Sequence, residues 1–217
     1  MRVSSIRLGL WGIAWPLAIV LSAMLANTSW AQTPDVTRIE EDWELVIGEP
    51  SPSSDAPQVT CLIAPVGNVE SLYATFIVNH HDVPSYTAGG LQLQTWDGKT
   101  LLDSQRYPDQ ALLTTPGEVI RWTQVMRITN EGMVFEVING ASTTWGAFGG
   151  EGTLKTTVST TLDKLNGYSP VVSVEHSGVS YAANRVQSLV LKHVRAYGAA
   201  GLIAEDNNPR VVHSLDE

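Results

Sequence analysis

From Ile39 onward the chain is written in short stretches whose apolar residues recur at every second position, each closed by Gly, Pro, Asn or Asp. Period two is the side-chain spacing of one face of a β-strand, so the pattern argues against helices before composition is considered. Ile39 to Ile47 places Trp43, Leu45 and Ile47 on one side and acids largely on the other. Leu72 to His80 aligns Leu72, Ala74, Phe76 and Val78. Leu91 to Trp96 sets Leu91, Leu93 and Thr95 against Gln92, Gln94 and Trp96.

Two hairpins follow from turn chemistry. Asp97-Gly98 is a type I′ signal leading into Thr100 to Asp103. Glu118 to Thr129 and Met133 to Asn139 join across Asn130-Glu131-Gly132. Pairing Thr129 with Val134 puts Ile120, Trp122, Met126, Ile128, Phe135 and Val137 on one face, and Arg127 opposite Glu136 on the other. A one-residue slip would invert the buried set, so patterning selects this register.

Gln58 to Ala64, Thr143 to Phe148, Leu154 to Thr160, Val171 to Glu175 and Arg185 to Tyr197 read as further strands. The last is apolar on both faces, as a central strand is. Thr161 to Asn166 reads as one helical turn, Gly48 to Pro57 as a Pro/Ser loop, and residues 204–217 as a flexible polar tail. Short strands at this spacing define an all-β, two-sheet antiparallel sandwich or barrel, expected as one domain over residues 32–203.

Residues 1–31 read as a signal peptide. Arg2 and Arg7 precede an uncharged apolar stretch from Leu8 to Leu25, and Ser29-Trp30-Ala31 offers small residues at the cleavage positions. Cleavage after Ala31 is expected to send the protein to the periplasm or medium, an uncleaved membrane anchor being the alternative that Pro16, the glycines and the Ser-x-Ala site disfavour. The remaining 186 of the 217 residues carry eleven Lys and Arg against twenty-two Asp and Glu, a formal charge of −11. That balance excludes nucleic acid as a partner and disfavours anionic lipid. Cys61 is the only cysteine, so no intrachain disulfide exists, and its apolar setting reads as a buried thiol. The fold stands on packing alone.

Three segments carry a family resemblance: Glu118 to Val125 (EVIRWTQV), Met133 to Gly140 (MVFEVING) and Leu189 to Tyr197 (LVLKHVRAY). They resemble the tryptophan strand, the strand ending in Asn-Gly and the closing strand of the concanavalin A-like, laminin G-like family. The resemblance spans Ile39 to Gly198 and implies a jelly-roll sandwich. It leaves function open, because that fold hosts lectins, adhesion modules, glycosidases and lyases.

Candidate chemistry is sparse. Glycosidases similar to this family carry Glu-x-Asp-x-x-Glu or a close variant, and no such pattern is expected in this chain. Glu136 is the acid within the central hairpin strands, with Arg127 as its expected ion-pair partner. His80-His81-Asp82 sits at a strand end, where adjacent residues point to opposite faces. Should the chain be an enzyme, His80, His81, Tyr86 and Glu136 are the acid–base suspects, with Tyr181 a further tyrosine. The resemblance implies calcium as an option through Asp97, Asp103 or Asp109, but Asp97 is explained by its turn and no EF-hand run exists. No cofactor and no metal site is expected. Nucleophile-elbow and phosphate-loop motifs are missing.

What remains is a sugar-binding surface. Carbohydrates are held by aromatic rings stacked on pyranose C–H faces and by amides bonding hydroxyls. Gln92, Gln94 and Trp96 share one strand face, with Asn79, Arg121, Trp145 and Asn184 expected to border it. The reading is an exported, non-catalytic, lectin-like module for a glycan or polysaccharide. A polysaccharide-cleaving hydrolase or lyase, and a structural or protein-interaction domain, are the alternatives. The sequence sets no oligomeric state.

Overall fold

A computed structural model describes residues 34–48, 57–79, 90–107 and 113–216. The expected signal peptide and the body of the Pro/Ser loop lie outside these residues. Thirteen strands, one helix and one 3-10 turn are present among them. In chain order the strands are β1 (Arg38–Ile47), β2 (Gln58–Ile63), β3 (Leu72–Asn79), β4 (Gly90–Asp97), β5 (Thr100–Tyr107), β6 (Val119–Thr129) and β7 (Gly132–Ser142). They continue as β8 (Gly146–Phe148), β9 (Lys155–Val158), β10 (Gly178–Tyr181), β11 (Val186–Gly198), β12 (Gly201–Asp206) and β13 (Arg210–Ser214). Helix α1 spans Pro170–His176.

The strands form an all-β sandwich of two antiparallel sheets. The larger has eight strands in the order β12-β11-β1-β6-β7-β8, with β13 also on β11 and β9 also on β7. The smaller runs β10-β2-β3-β4-β5. Period-two alternation determines which side chains meet between them. Ile39, Trp43, Leu45 and Ile47 of β1 face Val59, Cys61, Phe76, Val78, Leu91 and Leu93 of the second sheet in one buried cluster. At its centre Trp43 stacks on Trp122 at 6.4 Å and 7°, while Phe76 meets Trp122 edge-on at 5.4 Å. Such pairs add roughly 0.5–1.5 kcal/mol beyond the area they bury.

The β6–β7 hairpin closes more tightly than its pattern predicts. Thr129 pairs with Gly132 through a two-residue Asn130–Glu131 turn, shifting the expected register by two. An even shift leaves every residue on its face, so the core set stands. Arg127 now lies opposite Val134 and reaches Glu136 diagonally, at 3.6 Å. At β4–β5, Gly98 takes φ +53 and Lys99 has no positive φ, so the expected hairpin forms without the I′ pattern of two positive φ values.

Other expectations need correction. Val171 to Glu175 is helix α1, not a strand. Pro170 at its first turn is preset for helical φ and lacks only an N–H that has no helical partner there. Val172 and Ser173, adjacent in sequence, are both buried, which one strand face cannot achieve. Thr161 to Asn166 is irregular rather than helical, pinned by Leu165, whose N–H donates to the Val36 carbonyl. Residues 204–214, expected within a flexible tail, continue β12 and form β13, both paired to β11. Edge strands with exposed faces need no apolar alternation, so composition concealed them. β11 is flanked by β1 on one side and by β12 and β13 on the other, as its two-sided apolarity implies.

Opposite Trp122, β7 carries two residues, Asn139 and Gly140, where β6 carries one. A Cβ on Gly140 would lie 2.4 Å from the ring and carbonyl of Phe148. Gly140→Ala is therefore expected to destabilise the protein by about 1–3 kcal/mol through overpacking. Urea unfolding followed by tryptophan fluorescence measures this, and an unchanged midpoint would refute the account.

Candidate functional site

The outer face of the five-stranded sheet presents the expected row. Gln92, Gln94 and Trp96 alternate outward along β4 and are half-buried, while Leu91, Leu93 and Thr95 point into the sandwich. Register sets Trp96 beside Tyr73, and Gln94 between Thr75 and Ser104. Gln92 Nε2 donates to Ser104 Oγ at 2.9 Å, and the Tyr73 hydroxyl donates to the Gly98 carbonyl at 3.0 Å. Amides, hydroxyls and two aromatic rings thus share one sheet surface.

The other residues expected around this face are elsewhere. Asn79, at the end of β3, is fully buried and cannot present an open amide to a ligand at the surface. Arg121 lies on β6 of the opposite sheet. Trp145 follows β7 in that same sheet and stacks on Phe148 at 4.9 Å. Asn184 sits in the 3-10 turn before β11. Glu136 faces Lys155 across β9 and is bridged by Arg127, an ion pair as expected. His80, His81, Tyr86 and Asp109 lie outside the described residues. Among the described residues no group of three or more His, Cys, Asp or Glu is placed to hold a metal ion, and no helix is long and apolar enough to cross a membrane.

A second surface lies on the outer face of the eight-stranded sheet. Two register irregularities flank it. Lys192 is an extra residue on β11 between the partners of Asp42 and Trp43, and Asn139–Gly140 are the doubled residues on β7. Bulges of this kind re-aim side chains and open a ladder. Asn139 adopts φ +55, a left-handed conformation that asparagine tolerates better than most residues. Between the irregularities is a groove of about 300 Å³ lined by Asp42, Glu44, Arg121, Thr123, Asn139 and Lys192.

The groove's charges are paired within the sheet. Glu44 Oε2 accepts from Arg121 Nε at 2.8 Å and Nη2 at 2.7 Å, while Lys192 Nζ reaches Oε1 at 3.4 Å. These cations hold the Glu44 carboxyl below its ordinary pKa despite some desolvation. Asp42 Oδ1 accepts from Thr123 Oγ1 at 2.7 Å and Arg195 Nη2 at 2.8 Å. Glu40, Asp42 and Glu44 alternate down the outer face of β1 with one intervening residue each, a variant one residue shorter than the glycosidase spacing, which corrects the expectation that no such variant occurs.

Glu41 was missed by the sequence reading. It shares the inward parity of Ile39 and Trp43 and is completely buried. Its Oε2 accepts from Trp43 Nε1 at 3.0 Å, and its Oε1 accepts from the Tyr168 hydroxyl at 2.6 Å and Ser173 Oγ at 2.5 Å. Burial lifts its pKa from the usual 4.5 to about 7, and the three donors and the Arg210 charge only partly oppose this. Ser173 belongs to α1, whose end is fastened by the Leu62 N–H donating 2.8 Å to Ser177 Oγ. The helix therefore covers the edge of β2 beyond its pairing with β10, with Val172 against Leu62 and Ala64. Gln124, across from Glu41 on β6, donates to the Cys61 carbonyl at 3.3 Å. Counting parity outward from Trp43 is the signal that locates Glu41.

No known protein family matches this chain, and no curated protein matches it.

A carboxyl whose folded pKa exceeds its unfolded value favours folding most when protonated. Its contribution is complete below pH about 4.5 and is lost as pH rises through about 7, with a limiting slope of about 1.4 kcal/mol per pH unit. Glu41→Gln, neutral at every pH, is expected to flatten that fall. Urea midpoints from pH 4.5 to 8 check it, and equal slopes in the two proteins would refute it.

Proposed function

We propose that this chain is an exported, non-catalytic binding module on a concanavalin A-like jelly-roll sandwich, recognising carbohydrate through the outer face of its five-stranded sheet. The observation that carries the reading is the Gln92–Gln94–Trp96 row, turned outward and flanked by Tyr73, Thr75 and Ser104. Strand residues two apart are about 7 Å from each other. Such a row contacts successive hydroxyls of an extended sugar chain, with Trp96 stacking on a pyranose face and the amides both donating and accepting. Arg2, Arg7, the Leu8 to Leu25 stretch and Ser29-Trp30-Ala31 support delivery to the periplasm or medium.

The alternation of Glu40, Asp42 and Glu44 on β1 favours polysaccharide cleavage as the second reading. Retaining hydrolysis needs one carboxyl to keep its proton beside an ionised partner. Arg121 and Lys192 hold Glu44 in the ionised form, which suits an ion pair or a nucleophile and not the acid.

A glycan array probed with the protein tests the binding reading. Saturable binding is expected, and Trp96→Ala and Gln94→Ala should each weaken it about tenfold, equivalent to roughly 1.4 kcal/mol. A blank array with folded protein, or binding indifferent to both substitutions, would overturn this assignment.

A further inference from the structure

The groove over β1, β6, β7 and β11 is separate from the surface just assigned and lies on the outer face of the other sheet. Its charge arrangement is uneven. Two cations, Arg121 and Lys192, converge on the one Glu44 carboxylate. Asp42 is already engaged by Arg195 and Thr123 and lies 3.4 Å from His193 Nδ1. The Glu44 cluster alone therefore carries one positive charge in excess.

Both cations are open to solvent, with 62% of the Arg121 side chain and 45% of Lys192 exposed against 20% of Glu44. Arg121 uses Nε and one Nη nitrogen on Glu44, and a guanidinium has five N–H donors while an ammonium has three. Exposed ion pairs contribute little, so a second anion entering between these two heads displaces almost no stability. Of the remaining lining, Asp42 is charged and is held by Arg195 and Thr123, and the other residues are uncharged. Thr123 and Asn139 form a hydroxyl–amide pair, with Asn139 Nδ2 3.5 Å from Thr123 Oγ1. The left-handed backbone of Asn139 places it at the groove rather than in the regular ladder.

We propose that this groove binds an anionic group on a polyhydroxylated ligand. The carboxylate or sulfate of an acidic sugar lies between Arg121 and Lys192, and ring hydroxyls meet Asn139 and Asp42. The site stands whether or not the five-stranded face binds sugar. Where both operate, the sandwich holds two ligand segments on opposite outer faces, an acidic one and a neutral one.

The test is calorimetric titration of the full chain with polygalacturonate, dextran sulfate and neutral dextran at 50 mM NaCl, repeated at 300 mM. At least one anionic polymer is expected to bind, weakening with salt, and which one binds separates a carboxylate from a sulfate. Arg121→Ala and Lys192→Ala should each reduce that affinity about tenfold. Glu44→Gln, which removes the competing carboxylate, should raise it severalfold. Lys99→Ala and Lys164→Ala, on distant loops, should leave it unchanged, as should Trp96→Ala. Binding of neither anionic polymer, equal binding of dextran, or equal losses in the Lys99 and Lys164 variants would overturn the proposal. A failure confined to Trp96→Ala on the glycan array would leave it intact.

Discussion

The pairing of β1 with β6, with Trp43 directly across from Trp122, sets the phase of the whole sandwich. Because strand side chains alternate, fixing this one inward pair fixes the face of every residue on both strands. Ile39, Leu45, Ile120 and Met126 then lie in the core. Glu40, Asp42, Glu44, Arg121 and Arg127 then lie outside, where they form ion pairs. Phe76 extends the contact to the second sheet, and Phe148 continues the chain of rings at 6.2 Å. With one cysteine and no crosslink, nothing covalent substitutes for this interlock.

The same phase creates an internal conflict on β1. Parity places Glu41 in the interior, where an isolated charge is costly. The molecule answers with three donors, one from β1 itself and two from residues 168–173. That demand explains why the segment after β9 is folded against the sandwich wall instead of looping freely. Helix α1 serves two ends, satisfying Glu41 through Ser173 and covering the unpaired stretch of β2 through Val172 and Ser177.

Much of the fold was legible because alternation is a strong signal wherever one face is buried. β1, β3, β4, β6 and β7 follow from it, and even the two-residue register error in the hairpin preserved the faces. What escaped detection had no such signal. β12 and β13 are edge strands whose polar composition resembles a tail. Helix α1 is a β-branched run for which Pro170 and the joint burial of Val172 and Ser173 outweigh strand propensity. Sheet membership was also hidden. Alternation puts Gln92, Gln94 and Trp96 on one face because they share a strand, whereas it says nothing of Arg121, which lies across the sandwich. The two bulges that make the groove depend on a close approach of Phe148 to Gly140 and an extra Lys192, neither visible in local pattern.

β12 and β13 lie end to end along the same side of β11, joined to the sheet by that strand alone. Neither adds a fully buried side chain to the central cluster, and Val212 of β13 packs against it from the rim. Free energies of opening follow buried contact, so the sandwich has a graded order of unravelling. β12, exposed along nearly its whole length, is the margin expected to open before water reaches the tryptophan pair. The domain thus keeps a sacrificial margin at its rim and a cooperative centre beneath it.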